Sequence, residues 1–124
     1  MPHKFDLSKV IAALKKSSII SSVDMLFSDE IEKRSFHKIR CTLIPSRYKL
    51  DIKFVITGGE FLYSFQIYGN KAIARWDNEP HYPGKENFPH HFHYKDKVRP
   101  SALSGNAIMN IRLVLAEIVN IIAG

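Results

Sequence analysis

The sequence predicts an α+β domain: an antiparallel meander sheet of about five strands, with N- and C-terminal helices packed on one face. Three observations carry that expectation. Apolar and polar residues alternate with period two over 48–57 and again over 60–68. Two-residue turns, Gly58 with Gly59 and Gly69 with Asn70, join adjacent runs. Apolar residues at helical spacing are confined to the two ends of the chain. Turns this short connect antiparallel neighbours, which argues against a βαβ array. The 124 residues are read as a single domain, 1–124, long enough to close one core.

Taken in order, Leu7, Val10, Ile11 and Leu14 recur at helical spacing, with Lys9, Lys15 and Lys16 on the other side. Asp6 or Ser8 can cap the start, and the helix is expected to end at Ser17 and Ser18. Residues 20–27 are rich in β-branched and apolar types and read as a strand. The charged stretch 29–34 reads as a turn, 36–44 as the next strand, and Pro45 with Ser46 as a break. Over 48–57, Tyr48, Leu50, Ile52, Phe54 and Ile56 face one way, and Lys49, Asp51 and Lys53 the other. Over 60–68, Phe61, Tyr63, Phe65 and Ile67 oppose Ser64, Gln66 and Tyr68. Over 71–77, Ala72, Ala74 and Trp76 oppose Ile73, Arg75 and Asp77. Leu50, Ile52, Phe54, Phe61, Tyr63 and Phe65 are the expected core.

Residues 78–100 have no apolar period and read as a long loop. Pro80, Pro83 and Pro89 stiffen it, and Trp76, Tyr82, Phe88, Phe92 and Tyr94 are its expected anchors. Past Pro100 the chain turns helical, capped by Ser101 or Ser104. Ile108, Ile111, Leu115, Ile118 and Ile122 form one stripe, widened by Val114, Val119 and Ile121. A helix this apolar is buried on more than one side. Its surplus face, including Val114 and Ile121, is expected to meet a second copy or a partner protein.

Composition bounds the function. Hydrophobic residues make up 45% and charged residues 24%, ordinary for a globular chain. The net charge of +6 and a pI near 9.5 favour an anionic partner such as RNA. The lone Cys41 cannot form an internal disulfide, and residues 1–6 show no signal-peptide pattern, so a reducing, cytoplasmic setting is expected. The longest apolar run, 113–123, is too short to span a bilayer and carries Glu117, so no membrane association is expected.

Four of the six histidines, the only tryptophan and three of the six prolines fall within 75–93. His91 and His93 share a face if that segment is extended. Histidine titrates near neutrality and exchanges protons in catalysis. RNA cleavage by its own 2′-hydroxyl needs a base, an acid and a cation, and no metal. Arg75, Asp77, His81, His91 and His93 are the expected catalytic set, converging in one cleft at the end of the last strand. Lys49, Lys53, Gln66, Tyr68 and His90 are the expected binding set. No cofactor is expected. The alternative is zinc on His81, His91 and His93, although neither HExxH nor CxxC occurs. That alternative opens two further readings: a metal-dependent phosphoesterase, or a non-catalytic module that binds a metal or a partner protein.

The motifs of this segment resemble a known family. Arg75-Trp76-Asp77-Asn78, then Pro80-His81 and Pro83, then Phe88-Pro89-His90-His91 and His93 look like the signature of TumE-type toxins, approximately RWDNAPHHP followed by FPHHKH. Tyr63-Ser64-Phe65-Gln66 is similar to the family's aromatic strand, and the resemblance covers roughly 36–104. Three positions depart from it: Glu79 replaces an alanine, Tyr82 the second histidine after Pro80, and Phe92 a lysine. The resemblance implies the toxin half of a toxin–antitoxin pair, neutralised by a DNA-binding antitoxin.

Overall fold

Asp6 starts the first helix. Its carboxylate accepts from the Lys9 backbone N–H at 3.3 Å, satisfying one of the open donors of the first turn, and α1 runs Leu7–Lys15. The computed structural model describes residues 5–80 and 84–124. Seven strands follow α1: β1 Ile20–Ile31, β2 Arg34–Leu43, β3 Lys49–Thr57, β4 Glu60–Tyr68, β5 Ala72–Asp77, β6 His91–Tyr94 and β7 Lys97–Pro100. The chain closes with α2, Ala107–Ala123. Spatial order equals chain order, and every pairing is antiparallel. Gly58 and Gly59 turn between β3 and β4 with φ of 51° and 89°, values that glycine adopts without a Cβ clash.

Period two decides the layers. Ile39, Cys41 and Leu43 of β2, Leu50, Ile52 and Phe54 of β3, Tyr63, Phe65 and Ile67 of β4, and Ala74 and Trp76 of β5 point to one face. They join Val10 and Leu14 of α1 and Ile111, Val114 and Ile118 of α2 in a single buried cluster. Both helices therefore lie on the same face, and they touch each other. Five of the six expected core residues are buried, while Phe61 is partly buried at the margin. Burial also pushes the Cys41 thiol up to about 12, so it behaves as a small apolar core residue. Among the described residues no helix is long and apolar enough to cross a membrane.

The structure corrects four expectations. Residues 29–34 are not a turn throughout: β1 continues to Ile31, and only Glu32 and Lys33 turn, Glu32 with φ of 55°. Charge does not stop a strand whose flanks are exposed. Residues 78–100 are not loop throughout, because β6 and β7 form in their second half and raise the sheet from about five strands to seven. Lys95 and Asp96 supply the tight turn between them with φ of 52° and 59°, without a glycine to signal it. The cap of α2 is Asn106, whose side chain accepts from Met109 N at 3.1 Å. Ser101 and Ser104 instead brace the preceding linker by accepting from Leu103 N and Asn106 N. Finally, Val114 is not surplus: it is fully buried against the sheet, and Ile121 packs partly against the same cluster. Met109, Leu113 and Val119 are the large apolar residues that α2 leaves outward.

Candidate active site

β5 and β6 lie side by side with Arg75 opposite His93 and Asp77 opposite His91. Directly opposed residues share a face, so these four side chains emerge together, on the side away from Trp76 and Phe92. Trp76 and Phe92 stack at 4.8 Å on the helix side and fix the β5–β6 register from behind.

Asp77 is the hub. Its Oδ2 accepts from Arg75 Nε at 2.8 Å and lies 3.8 Å from His93 Nε2. Its Oδ1 accepts from Glu79 N at 3.2 Å and sits 2.6 Å from His91 Nε2. Arg75 Nη2 lies 3.1 Å from His93 Nε2. A guanidinium only donates, so that His93 nitrogen accepts, and the His93 proton sits on Nδ1. His91 Nδ1 lies 2.9 Å from the Pro89 carbonyl, which only accepts, so Nδ1 donates there. His91 Nε2 and the Asp77 carboxylate are held at a distance that needs a proton between them, although the oxygen lies off the ideal N–H direction. Asp77 is 3% exposed and His91 1%, whereas the side chains of Arg75 and His93 are 45% and 26% exposed. The cluster therefore has a sealed half and an open half.

The open half borders a cleft of about 410 Å³. Gln66, Arg75 and His93 line it, with Tyr94, Lys95 and Lys97 from the β6–β7 hairpin. Three cations against one carboxylate, Asp96, leave the rim net basic, which suits an anionic ligand, and Tyr94 adds a ring.

The expected site residues are distributed as follows. Arg75, Asp77, His91 and His93 come together. His81 lies outside the described residues. Lys49, Lys53, Gln66 and Tyr68 share the open face, because Lys49 opposes Tyr68, Lys53 opposes Ser64, and Gln66 opposes Arg75. Only Gln66 among them lines the cleft. Lys49 Nζ donates to Ser46 O at 3.0 Å, and the Tyr68 hydroxyl donates to Asp51 at 3.1 Å. Asp51 also takes a two-pronged bond from Arg40, at 2.8 and 3.0 Å. Burial pushes the Asp51 carboxyl upward, but the bonds from Arg40 and Tyr68 outweigh it and hold the group below the ordinary range.

His90 faces the other way. Its Nδ1 lies 2.6 Å from the Tyr63 hydroxyl, and the two rings stack at 5.7 Å. Burial pushes the Tyr63 phenol well up, so it stays a donor. Burial, then the neighbouring His91, holds His90 below its ordinary value, so its Nδ1 accepts. His90 anchors the segment leading into β6 rather than lining the cleft.

Other supporting residues escaped the sequence reading. Asn78 prolongs the β4–β5 contact by accepting from Tyr63 N at 2.9 Å and donating to Phe61 O at 2.8 Å. Asn87, with φ of 58°, donates to Ser101 O and Leu103 O and ties the approach to β6 onto the linker before α2. An asparagine at a left-handed turn position is the one local signal that could have found it.

Asp77, His91 and His93 offer three ligand atoms within 4.8 Å of one another, the donor set of a two-histidine, one-carboxylate centre. The His91 Nδ1 bond to a carbonyl is also how metal-bound imidazoles are oriented. Against a metal, the Arg75 guanidinium bonds two of the three groups, a carboxylate oxygen and the His93 nitrogen that would bind it.

No curated protein and no solved structure matches this chain. A family model described as Toxin TumE matches residues 9–122 and so takes in most of both helices, the sheet and the whole cluster. The chain belongs to the TumE toxin family.

Proposed function

We propose that this toxin cleaves RNA without a metal, using the open half of the Arg75–Asp77–His91–His93 cluster. The supporting observation is that Arg75 bonds Asp77 and His93 at once, at the rim of a basic cleft. Arg75 leaves His93 Nε2 as its fork turns to the phosphate, and the lone pair so freed takes the proton of a ribose 2′-hydroxyl. The freed oxygen attacks the adjacent phosphorus, the bond to the 5′ oxygen breaks, and that oxygen leaves with a proton from a second group. The products are a 2′,3′-cyclic phosphate and a 5′-hydroxyl. Arg75 neutralises the phosphate, where its planar fork binds two oxygens. Asp77 and His91 are positioning residues, sealed from substrate and holding the other two. His81 is proposed as the proton donor on the strength of the sequence motif alone.

The toxin is proposed to pair with a DNA-binding antitoxin. Met109, Leu113 and Val119 of α2 are the residues proposed to meet that partner or a second copy.

The test is cleavage of a defined RNA by tag-free protein, beside growth arrest on expression, with and without chelator. Cyclic-phosphate products that persist in chelator support the reading. Loss of cleavage in chelator, with a bound transition metal found by elemental analysis, replaces it by the metal-dependent phosphoesterase reading that the ligand set favours. A metal bound without any cleavage leaves the non-catalytic metal-binding module.

A further inference from the structure

The two edges of the sheet are built differently. β7 has four residues, carries Lys97 and Arg99, and ends on Pro100. Shortness, positive charge and proline are the devices that keep an edge strand from accepting another strand. β1 has twelve residues, ten of them exposed, and 20–32 contains no lysine, arginine or proline. Met25, Leu26, Phe27 and Ile31 hold large apolar side chains 40–58% exposed along it. Phe27 packs edge-on against Phe36 at 5.4 Å, which carries the apolar patch onto β2.

The same stretch is acidic. Asp24, Asp29, Glu30 and Glu32 lie there in a chain of net charge +6. Asp24 pairs across the ladder with Arg40, but the Arg40 guanidinium is committed to Asp51. Asp29 and Glu30 face Phe36 and Ser35 across the ladder, neither of which is a cation, and Glu30, although 3.8 Å from His37 Nε2, keeps its side chain 73% exposed. The β1–β2 register shifts between Met25 and Phe27, and beyond that bulge 27–31 pairs evenly with 34–38. Among the described residues no strand pairs with the outer side of β1.

We propose that β1 is a docking edge for an extended, basic segment of a partner protein, which adds as an eighth strand beside residues 27–31. Backbone pairing would supply much of the affinity, Phe27 and Ile31 a purchase for apolar side chains, and the carboxylates the choice of a lysine- or arginine-bearing strand. Charge decides against a second copy. An antiparallel two-fold pairing centred on 27–31 sets Asp29 directly against its own copy, and like charges directly opposed destabilise a ladder. The carboxylates equally disfavour a nucleic-acid backbone. The inference is independent of the RNA-cleavage reading, because a chain that cleaves nothing still presents this edge.

The test uses the full chain and synthetic peptides that alternate lysine and valine. A second peptide keeps the charge but carries prolines that forbid a strand, and a third replaces lysine by glutamate. Fluorescence anisotropy should show the lysine–valine peptide binding at least about tenfold more tightly than either control, with amide exchange slowed over 27–31. Phe27→Lys with Asp29→Lys should weaken that binding about tenfold or more while the melting temperature holds. If the double variant melts early, Asp29→Lys alone decides. Equal binding by the proline peptide, protection away from β1, or self-association abolished by Asp29→Lys overturns the proposal.

Discussion

His91 and His37 are alike by burial and unlike in consequence. Each is almost completely sealed, and each is held through Nδ1, His91 by the Pro89 carbonyl and His37 by Ser28 Oγ at 2.8 Å. Each turns Nε2 toward a carboxylate. Asp77 sits 2.6 Å from His91 with its side chain 5% exposed, whereas Glu30 is 3.8 Å from His37 with its side chain 73% exposed. A solvated carboxylate at that range is worth little. Asp77 also grips Arg75 and stands beside His93 at the mouth of a cleft. His37 has Phe5 stacked on its ring at 5.6 Å and is fully buried. A buried histidine is therefore an ordinary core residue until its partner carboxylate is itself buried and shared with groups that reach solvent.

The largest expected effect falls on the open half of the cluster. Arg75→Ala or His93→Ala should lower RNA cleavage by about 10²–10⁴-fold. The melting temperature should hold in His93→Ala, whose side chain is part-exposed, and fall in Arg75→Ala, which also takes the guanidinium from the buried Asp77, so cleavage is compared per folded molecule. Arg75→Lys should not restore the rate, since an ammonium lacks the fork that spans two acceptors. Full activity in either alanine variant would end the assignment.

Next comes His91→Leu. It takes one partner from the buried Asp77 carboxylate, which keeps Arg75 and the Glu79 N–H, so stability should fall by about 2–3 kcal/mol in denaturant titrations, and cleavage should fall with it. His37→Leu is the counterpart. It removes a ring nitrogen that has no hydrogen-bond partner among the described residues, at the cost of one bond to Ser28. The change should stay within about 1 kcal/mol and leave cleavage intact. If the two variants lose equal stability, the contrast between the histidines fails.

The smallest effect is a pH dependence. His90 is held below its ordinary value, so as pH falls the unfolded chain takes up that proton before the folded one does. Stability should decline as pH drops below about 6.5 and level off once the folded His90 has also protonated, with nothing lost above that window. His90→Gln should flatten this part of the melting-temperature profile. Asp51 acts lower: its stabilisation is present above the ordinary aspartate range and is lost as pH falls through its depressed folded value.

Sequence pattern located β3, β4 and β5 because nine, nine and six alternating residues fill a window long enough to count. β6 and β7 have four residues each, too few to show a period, and their turn uses Lys95 and Asp96 where glycine would have marked it. The acidic tail of β1 read as a turn because an edge strand has no face that must be apolar. At the site, alternation set Arg75 and Asp77 on one side, and the spacing of His91 and His93 set them on one side too. That these two pairs face each other depends on the β5–β6 register, which pattern alone does not encode. The same extended backbone turns His90 away from His91, so the run of histidines splits between an anchor on Tyr63 and the cluster.

Because each strand pairs only with its sequence neighbours, the sheet can assemble in the order in which the ribosome delivers it. Four strands form a ladder before any residue of the cluster arrives. β5 then contributes Arg75 and Asp77, and only β6 brings His91 and His93 to meet them. A nascent chain that stalls or is cut before residue 91 thus carries five strands of the ladder, none of α2, and half of its chemistry. The reactive arrangement exists only once β6 has been added beside β5.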